Sequence, residues 1–334
     1  MNLKPIQLAD WTGHAKELSD ALREDEHLDA VNRFNELFPD QEACLALARR
    51  LKWPNGFHCC ACGHREAYEI ASKTSPLLEC RNCKHQTSLT AHTIMHKSRT
   101  PLRKWLLSMF MVACCGDGIN ALKLSSVINV TYKTAWSILH KIRSSISDMD
   151  HNRKMAGIVE AKHEIFMKKF IPSADQLKLE HSVIAAKETA FADHSPETEY
   201  YKIKIVPRRK VARSPLSDKE SAVFAKCHLT ADTKLWRINP RMQWSPELRA
   251  AYNKFSSRAV VGEDERLKIA DLLKNSLSVF ADQAFKWLNR TFHGIGIKHA
   301  QKYLDEYCFR RNAGNQRQAF QRLAQIAFSG LNPF

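Results

Sequence analysis

The chain has 334 residues, enough for two or three domains with at least one sizeable core, and its 44% apolar content excludes a disordered polymer. No apolar run approaches the length of a membrane span, and the opening MNLKPIQLADWTGH lacks the apolar core of a signal peptide. No membrane partner is therefore expected, and the expected compartment is a reducing cytosol of bacterial type, where the ten cysteines serve as metal ligands or core thiols rather than disulfides. The net charge of +16 is unevenly spread: residues 1–48 carry 4 Lys+Arg against 10 Asp+Glu, residues 49–153 carry 16 against 6, and residues 154–334 carry 31 against 19. A basic body behind an acidic start suggests a polyanionic partner.

Residues 1–50 read as a helical segment. HLDAVNRFNELF has apolar residues at helical spacing, Pro39 breaks the run, and Asp40 is suited to cap QEACLALARRL. Trp53-Pro54-Asn55-Gly56 is a turn, and residues 51–96 are short, cysteine-bearing and rich in turn and strand signals. Within them, Cys59-x2-Cys62 is followed seventeen residues later by Cys80-x2-Cys83. Two such pairs on turns deliver four thiolates to one Zn2+, with no open position for catalysis, so the ion's expected role is structural. Gly63 and Asn82 suit the tight turns, Cys60 is an alternative ligand, and His58, His64 and His85 read as surface residues.

Residues 97–152 return to helices. PLRKWLLSMFMVACC starts at a proline and stops at Gly116-Asp117-Gly118; its Cys114 and Cys115 read as core. Asn120 caps ALKLSSVI, Asn129-Val130 turns, and Thr131 caps YKTAWSILHKIRSSISDM, which is helix-turn-helix organisation. On the second helix Ala135, Ile138, Leu139 and Ile142 face inward, leaving Lys133, Ser137, His140, Lys141 and Ser144 for a groove, with Arg143 at the side. Trp105, Trp136 and Trp287 are expected in cores. HTIMH places His92 and His96 four apart, yet no Glu stands where metalloprotease chemistry requires one.

Residues 155–315 begin with strand-like runs at GIVEAKHEIF, HSVIAAKETAF, YYKIKIVP and TKLWRI, separated by polar loops, and continue with helices from Pro246. On the first strand Glu160, Lys162 and Glu164 share one face, and Ala161, His163 and Ile165 the other. IKHAQKYLDEYCFRRN reads as a helix on which Asp305 and Glu306 form surface pairs with Arg310 and Arg311. Residues 316–334 read as a tail.

Taken in order, FPDQEACLALARRLKWPNGFHCCACGH, LLECRNCKHQTSLTAHTIMHKSRTPLRKWL, LKLSSVINVTYKTAWSILHKIR, GIVEAKHEIF and KWLNRTFHGIGIKHAQKYLDEYCFRRN resemble the zinc-ribbon insertion-sequence transposases with an RNase-H-like catalytic domain. The resemblance implies a multidomain α+β chain: N-terminal helices and a zinc ribbon, a helix-turn-helix, then an RNase-H-like α/β domain with a mixed sheet. It also implies duplex DNA (transposon ends) as partner, self-association, and a nucleoid-associated place in the cytoplasm.

Such enzymes hold two divalent metals, Mg2+ when active, on converging carboxylates. In this chain the first metal-binding Asp falls on Lys162, the second on Ile238 or Asn239, and the third ligand on Gln283. A replacement set drawn from Glu160, Glu164, Asp232 and Asp282 is the alternative. The leading expectation is a DNA-binding protein impaired in strand transfer; the alternatives are an active Mg2+-dependent transposase using displaced acids and a domesticated DNA-binding regulator.

Overall fold

The computed structural model describes residues 26–70, 76–167, 180–189, 199–207, 212, 216–237, 276–293 and 295–329. Among these, nine helices and seven strands in two sheets form an α+β chain that divides into two compact units, residues 1–145 with 315–334, and residues 146–314.

In the first unit, helix α1 (residues 26–37) ends before Pro39, and Asp40 caps α2 (Gln41–Lys52) by accepting from the Ala43 amide at 2.8 Å. Strands β1 (Ala67–Ile70), β2 (Leu77–Cys80) and β3 (Gln86–Ser88) form an antiparallel meander. Helix α3 (Leu102–Cys114) is buried along most of its length, as its sequence LRKWLLSMFMVAC requires. Helices α4 (Ala121–Val127) and α5 (Tyr132–Asn152) follow; the division between the units falls within α5.

The carboxy-terminal residues read as a tail instead form α9 (Gln316–Phe328), with Phe320 against Phe110 at 5.2 Å between ring centres. Gln316 donates to the Cys114 carbonyl at 2.8 Å, satisfying an end of α3 that α3 itself leaves open, and accepts from Arg33. The signal was present: Ala319, Phe320, Leu323, Ala324 and Ala327 recur at helical spacing, and Asn315 caps the run.

The second unit is built on a four-stranded sheet in the order β6-β5-β4-β7. Strands β4 (Ile158–Met167), β5 (Glu180–Thr189) and β6 (Tyr200–Ile205) are antiparallel neighbours, and β7 (Lys234–Arg237) returns parallel to β4. The four strand-like runs of the sequence are thus all strands.

Helix α6 (Asp218–His228), which provides the crossover into β7, lies in what reads as a polar loop. Its start was legible as Ser217-x-x-Glu220, a capping box in which each side chain bonds the other residue's amide. One sheet face packs Val159, Ala161, Ile184, Ala186 and Tyr200 against Phe224 of α6. The other packs Phe166, Val183, Ala185, Tyr201 and Ile203 against α7 (Ser276–Phe292) and α8 (Ile297–Asn312). Residues 246–275, read as helical, lie outside the described residues up to Ser276.

Helix α8 closes the free edge of β6 through side-chain amides. Gln301 donates to the Ile203 carbonyl and accepts from the Ile205 amide; Asn312 does the same for Tyr201, with all four bonds between 2.7 and 2.9 Å. These amides complete the unpaired ladder as a fifth strand would. On the same helix Asp305 and Glu306, read as surface acids, are 2% and 0% exposed. Asp305 accepts from Lys204, and Lys204 also pairs with Asp150 of α5, whose backbone carbonyl and carboxylate are both engaged by the fully buried Lys202. Burial alone would raise the Asp150 carboxyl, but the Lys204 and Lys202 ammonium groups outweigh it and hold it below the ordinary range.

Candidate metal centre and basic helix

The sequence Cys59-Cys60-Ala61-Cys62-Gly63-His64 folds into a knuckle in which the Gly63 amide donates to the Cys59 carbonyl and the Cys59 amide to the His64 carbonyl, both at 2.9 Å. Cys80 to His85 repeats it: Lys84 to the Cys80 carbonyl at 3.1 Å, and Cys80 to the His85 carbonyl at 3.0 Å. Each knuckle needs one left-handed residue, supplied by Gly63 (φ +76°) and by Lys84 (φ +61°). Asn82 lies in the second turn as expected, with its side-chain amide 3.8 Å from the Cys62 sulfur.

The two turns bring Cys59 Sγ to 3.6 Å from Cys83 Sγ and Cys62 Sγ to 3.5 Å from Cys80 Sγ, with all four sulfurs within 4.8 Å of one another. A tetrahedral zinc–thiolate shell with bonds of ~2.3 Å sets sulfurs ~3.8 Å apart, so the donor set fits structural Zn2+. Burial opposes ionisation of Cys59, yet the Cys62 and Ala61 amides outweigh it and draw the thiol down to about 6. At Cys83 the His85 amide favours the thiolate, but the neighbouring thiols prevail and push it up to about 12. A cluster that yields its first proton readily and holds its last needs a cation to ionise completely. Cys60 stays outside the group, 3.4 Å from His85 Nε2.

Residues 39–86 match the family model described as the transposase zinc-ribbon domain. The chain carries a transposase zinc ribbon. No curated protein and no solved structure matches the chain. No helix among the described residues is long and apolar enough to cross a membrane.

The transposase ribbon is anchored to the preceding helix by Lys52, whose ammonium donates to the carbonyls of Ser88, Leu89 and Ala91 at 2.6, 3.2 and 2.7 Å. Burial lowers that ammonium to about 8. Beyond the ribbon, Asn120 caps α4 through the Lys123 amide at 2.9 Å, and Asn129 (φ +48°) makes the turn. The Val130 amide returns to the Ser125 carbonyl, closing α4. Thr131 then caps α5 by accepting from the Thr134 amide at 3.3 Å.

On α5, Ala135, Ile138, Leu139 and Ile142 are buried as expected, Lys133, Ser137 and Lys141 are exposed, and His140 is half-buried. Arg143 departs from the expected place beside a groove. It is 3% exposed and donates to the Ile119 carbonyl at 3.0 Å, bracing the loop before α4. Trp105 and Trp287 are core residues as expected, whereas Trp136 is exposed and stacks on His140 with ring centres 4.8 Å apart.

The acids of the second unit are dispersed. Glu160 on β4 lies 3.9 Å from Lys187, Asp232 is exposed in the turn before β7, and Asp282 is exposed on α7 beside exposed Gln283. Among the described residues, Cys59, Cys62, Cys80 and Cys83 are a group of three or more metal-binding side chains within reach of one ion; Glu160, Asp232 and Asp282 form no such group. Between Glu160 and Glu164, Lys162 lies 3.2 Å from Glu164 Oε1 and bonds Ser278 of α7, which itself donates to the same Glu164 oxygen at 2.6 Å. Ile238 and Asn239 lie outside the described residues, just beyond the last register pair, Ala161 with Arg237.

Proposed function

We propose that this chain is a transposase-like, DNA-binding protein of an insertion sequence, with its metal-dependent strand-transfer centre replaced by an internal ion pair. The observation that carries the reading is the transposase zinc ribbon followed by a capped helix pair whose second helix exposes Lys133, Ser137 and Lys141. Lysines on an exposed helix after a tight turn suit the phosphates flanking a major groove.

The sheet supports the RNase-H-like assignment of the second unit. Metal ligands on the first and fourth strands converge only if those strands are neighbours, and β4 and β7 are adjacent and parallel. Lys162 supports the loss of catalysis. An ammonium already paired with Glu164 and Ser278 supplies the positive charge a divalent ion would supply, and repels that ion. Mg2+ would serve the chain only if displaced acids were active. Multimers on paired DNA ends follow from the resemblance.

The test is one set of duplex fragments incubated with the zinc-loaded chain in Mg2+ and in Mn2+, scored for retarded DNA and for cut strands. Retardation that weakens with salt, with strands intact in both metals, is the expected result. Cleavage abolished by Asp232→Asn or Asp282→Asn would instead establish an active transposase.

A further inference from the structure

The exposed arc of α5 holds Trp136, His140, Lys133, Ser137 and Lys141, which at 100° per residue span about 140° opposite the buried apolar stripe. Lys141 stands at one border of the arc and Lys133 near its middle. The other border is aromatic: Tyr132 is 57% exposed, Trp136 is 39% exposed, and the Trp136 ring lies nearly parallel to His140, 11° between planes. No Asp or Glu occurs from Gly118 to Ser147, so the arc has no acid of its own helix pair to repel a polyanion.

Of the side chains that read purine edges through paired hydrogen bonds, arginine, asparagine and glutamine are missing from the arc, and lysine is present as Lys133 and Lys141. The one arginine of α5, Arg143, is bound to the Ile119 carbonyl, and the first Asn or Gln of the helix is Asn152 at its end. Beside Lys133, Ser137 and Lys141 the arc offers one large apolar ring, Trp136, held by stacking on His140 and so losing little freedom on binding. The thymine 5-methyl is the apolar group that the major groove presents.

We propose that Trp136 is the base-discriminating contact of α5, seated on thymine methyl groups in a DNA major groove while Lys133 and Lys141 hold the flanking phosphates. The inference rests on the DNA-binding reading above and names which bases that surface prefers.

The test uses the full zinc-loaded chain and random-sequence duplexes enriched on it over several rounds, then resynthesised with thymidine or with deoxyuridine, which lacks the methyl. At fixed salt the wild type favours the thymidine pool by about fourfold for each methyl group that the tryptophan covers. Trp136→Ala binds both pools alike while its affinity keeps the wild-type dependence on salt. Trp136→Phe, which retains an apolar ring, keeps the preference. Equal binding of the two pools by the wild type, or a preference that survives in Trp136→Ala, overturns the inference and leaves DNA binding standing. Absence of salt-dependent binding to either pool overturns the DNA reading and the inference with it.

Discussion

Under the proposed RNase-H-like reading, Lys162 stands where the first metal-binding carboxylate would be, and the side chains around it are matched to an ammonium. Glu164 and Ser278 converge on the ammonium, so the lysine is partnered rather than stranded. Replacing it by aspartate would set a second carboxylate beside Glu164 without supplying the ligands expected at 238 or 239 and at Gln283. Lys162→Asp alone is therefore expected to leave supercoiled plasmid uncut in Mn2+; nicking by that single variant would show that the remaining ligands are intact.

Arg143 is a second residue whose surroundings decide its role, since sequence spacing puts it near the groove. Its burial against Ile119 predicts that Arg143→Ala lowers stability by about 1–3 kcal/mol, through an abandoned carbonyl and poorer packing, with little change in the salt dependence of DNA binding. Lys133→Ala and Lys141→Ala should do the reverse. Each should leave the melting temperature nearly unchanged and reduce the slope of log K against log salt by about 0.9. Titrations across salt, run beside thermal melts, separate the two classes.

At the scale of elements, the transposase ribbon was the most legible part of the chain, because metal coordination fixes its spacing independently of any core. Two turns of like geometry and four sulfurs within 4.8 Å follow from C-x2-C repeated. Cys80→Ser should abolish binding of one zinc per chain and unfold the ribbon, measured by metal content and by exchange of the β2 amides; a ribbon that stays folded without zinc would contradict the structural role. The capped helices and the four strands of the second unit were legible for similar local reasons. The roles of α8 were not. Whether Asp305 pairs with Arg310 or turns toward Lys204 depends on which strand lies alongside, and helix periodicity carries no such information. Trp136 was misplaced for the same reason, since its distance from the core depends on how α5 is rotated against its neighbours.

Helix α8 shares a set of buried charges with β6 and the end of α5. Asp150→Ala would leave Lys202 and Lys204 buried with one carboxylate fewer, at a cost of about 3–5 kcal/mol. His228, at the end of α6, is lowered to about 4 by burial, with the Lys204 and Lys202 charges adding to it. The unfolded imidazole, near 6.5, binds a proton that the folded one resists, so this contribution is complete above about 6.5 and is lost as pH falls toward 4. Because the ring is partly exposed, the loss is on the order of 1 kcal/mol. Denaturant midpoints of the wild type should fall across that window, and those of His228→Asn should fall less.

For the whole molecule, the charge distribution is the broadest feature and the one read first. An acidic first segment of net −6 precedes basic blocks of +10 and +12, and some of those cations are engaged within the fold. Lys52 secures the ribbon, Arg143 braces a loop, and Lys202 and Lys204 neutralise buried acids. The lysines left on the exposed arc of α5 are the cations available to a polyanion on that helix. The proposed function has this chain bind duplex DNA electrostatically without cutting it. The most direct test follows one labelled duplex by fluorescence anisotropy with the zinc-loaded chain in Mg2+ over a series of salt concentrations, with the strands from each sample then resolved by length. A linear fall of log K with log salt and full-length strands throughout are expected. Affinity indifferent to salt, or strands shortened in a Mg2+-dependent manner, would contradict it.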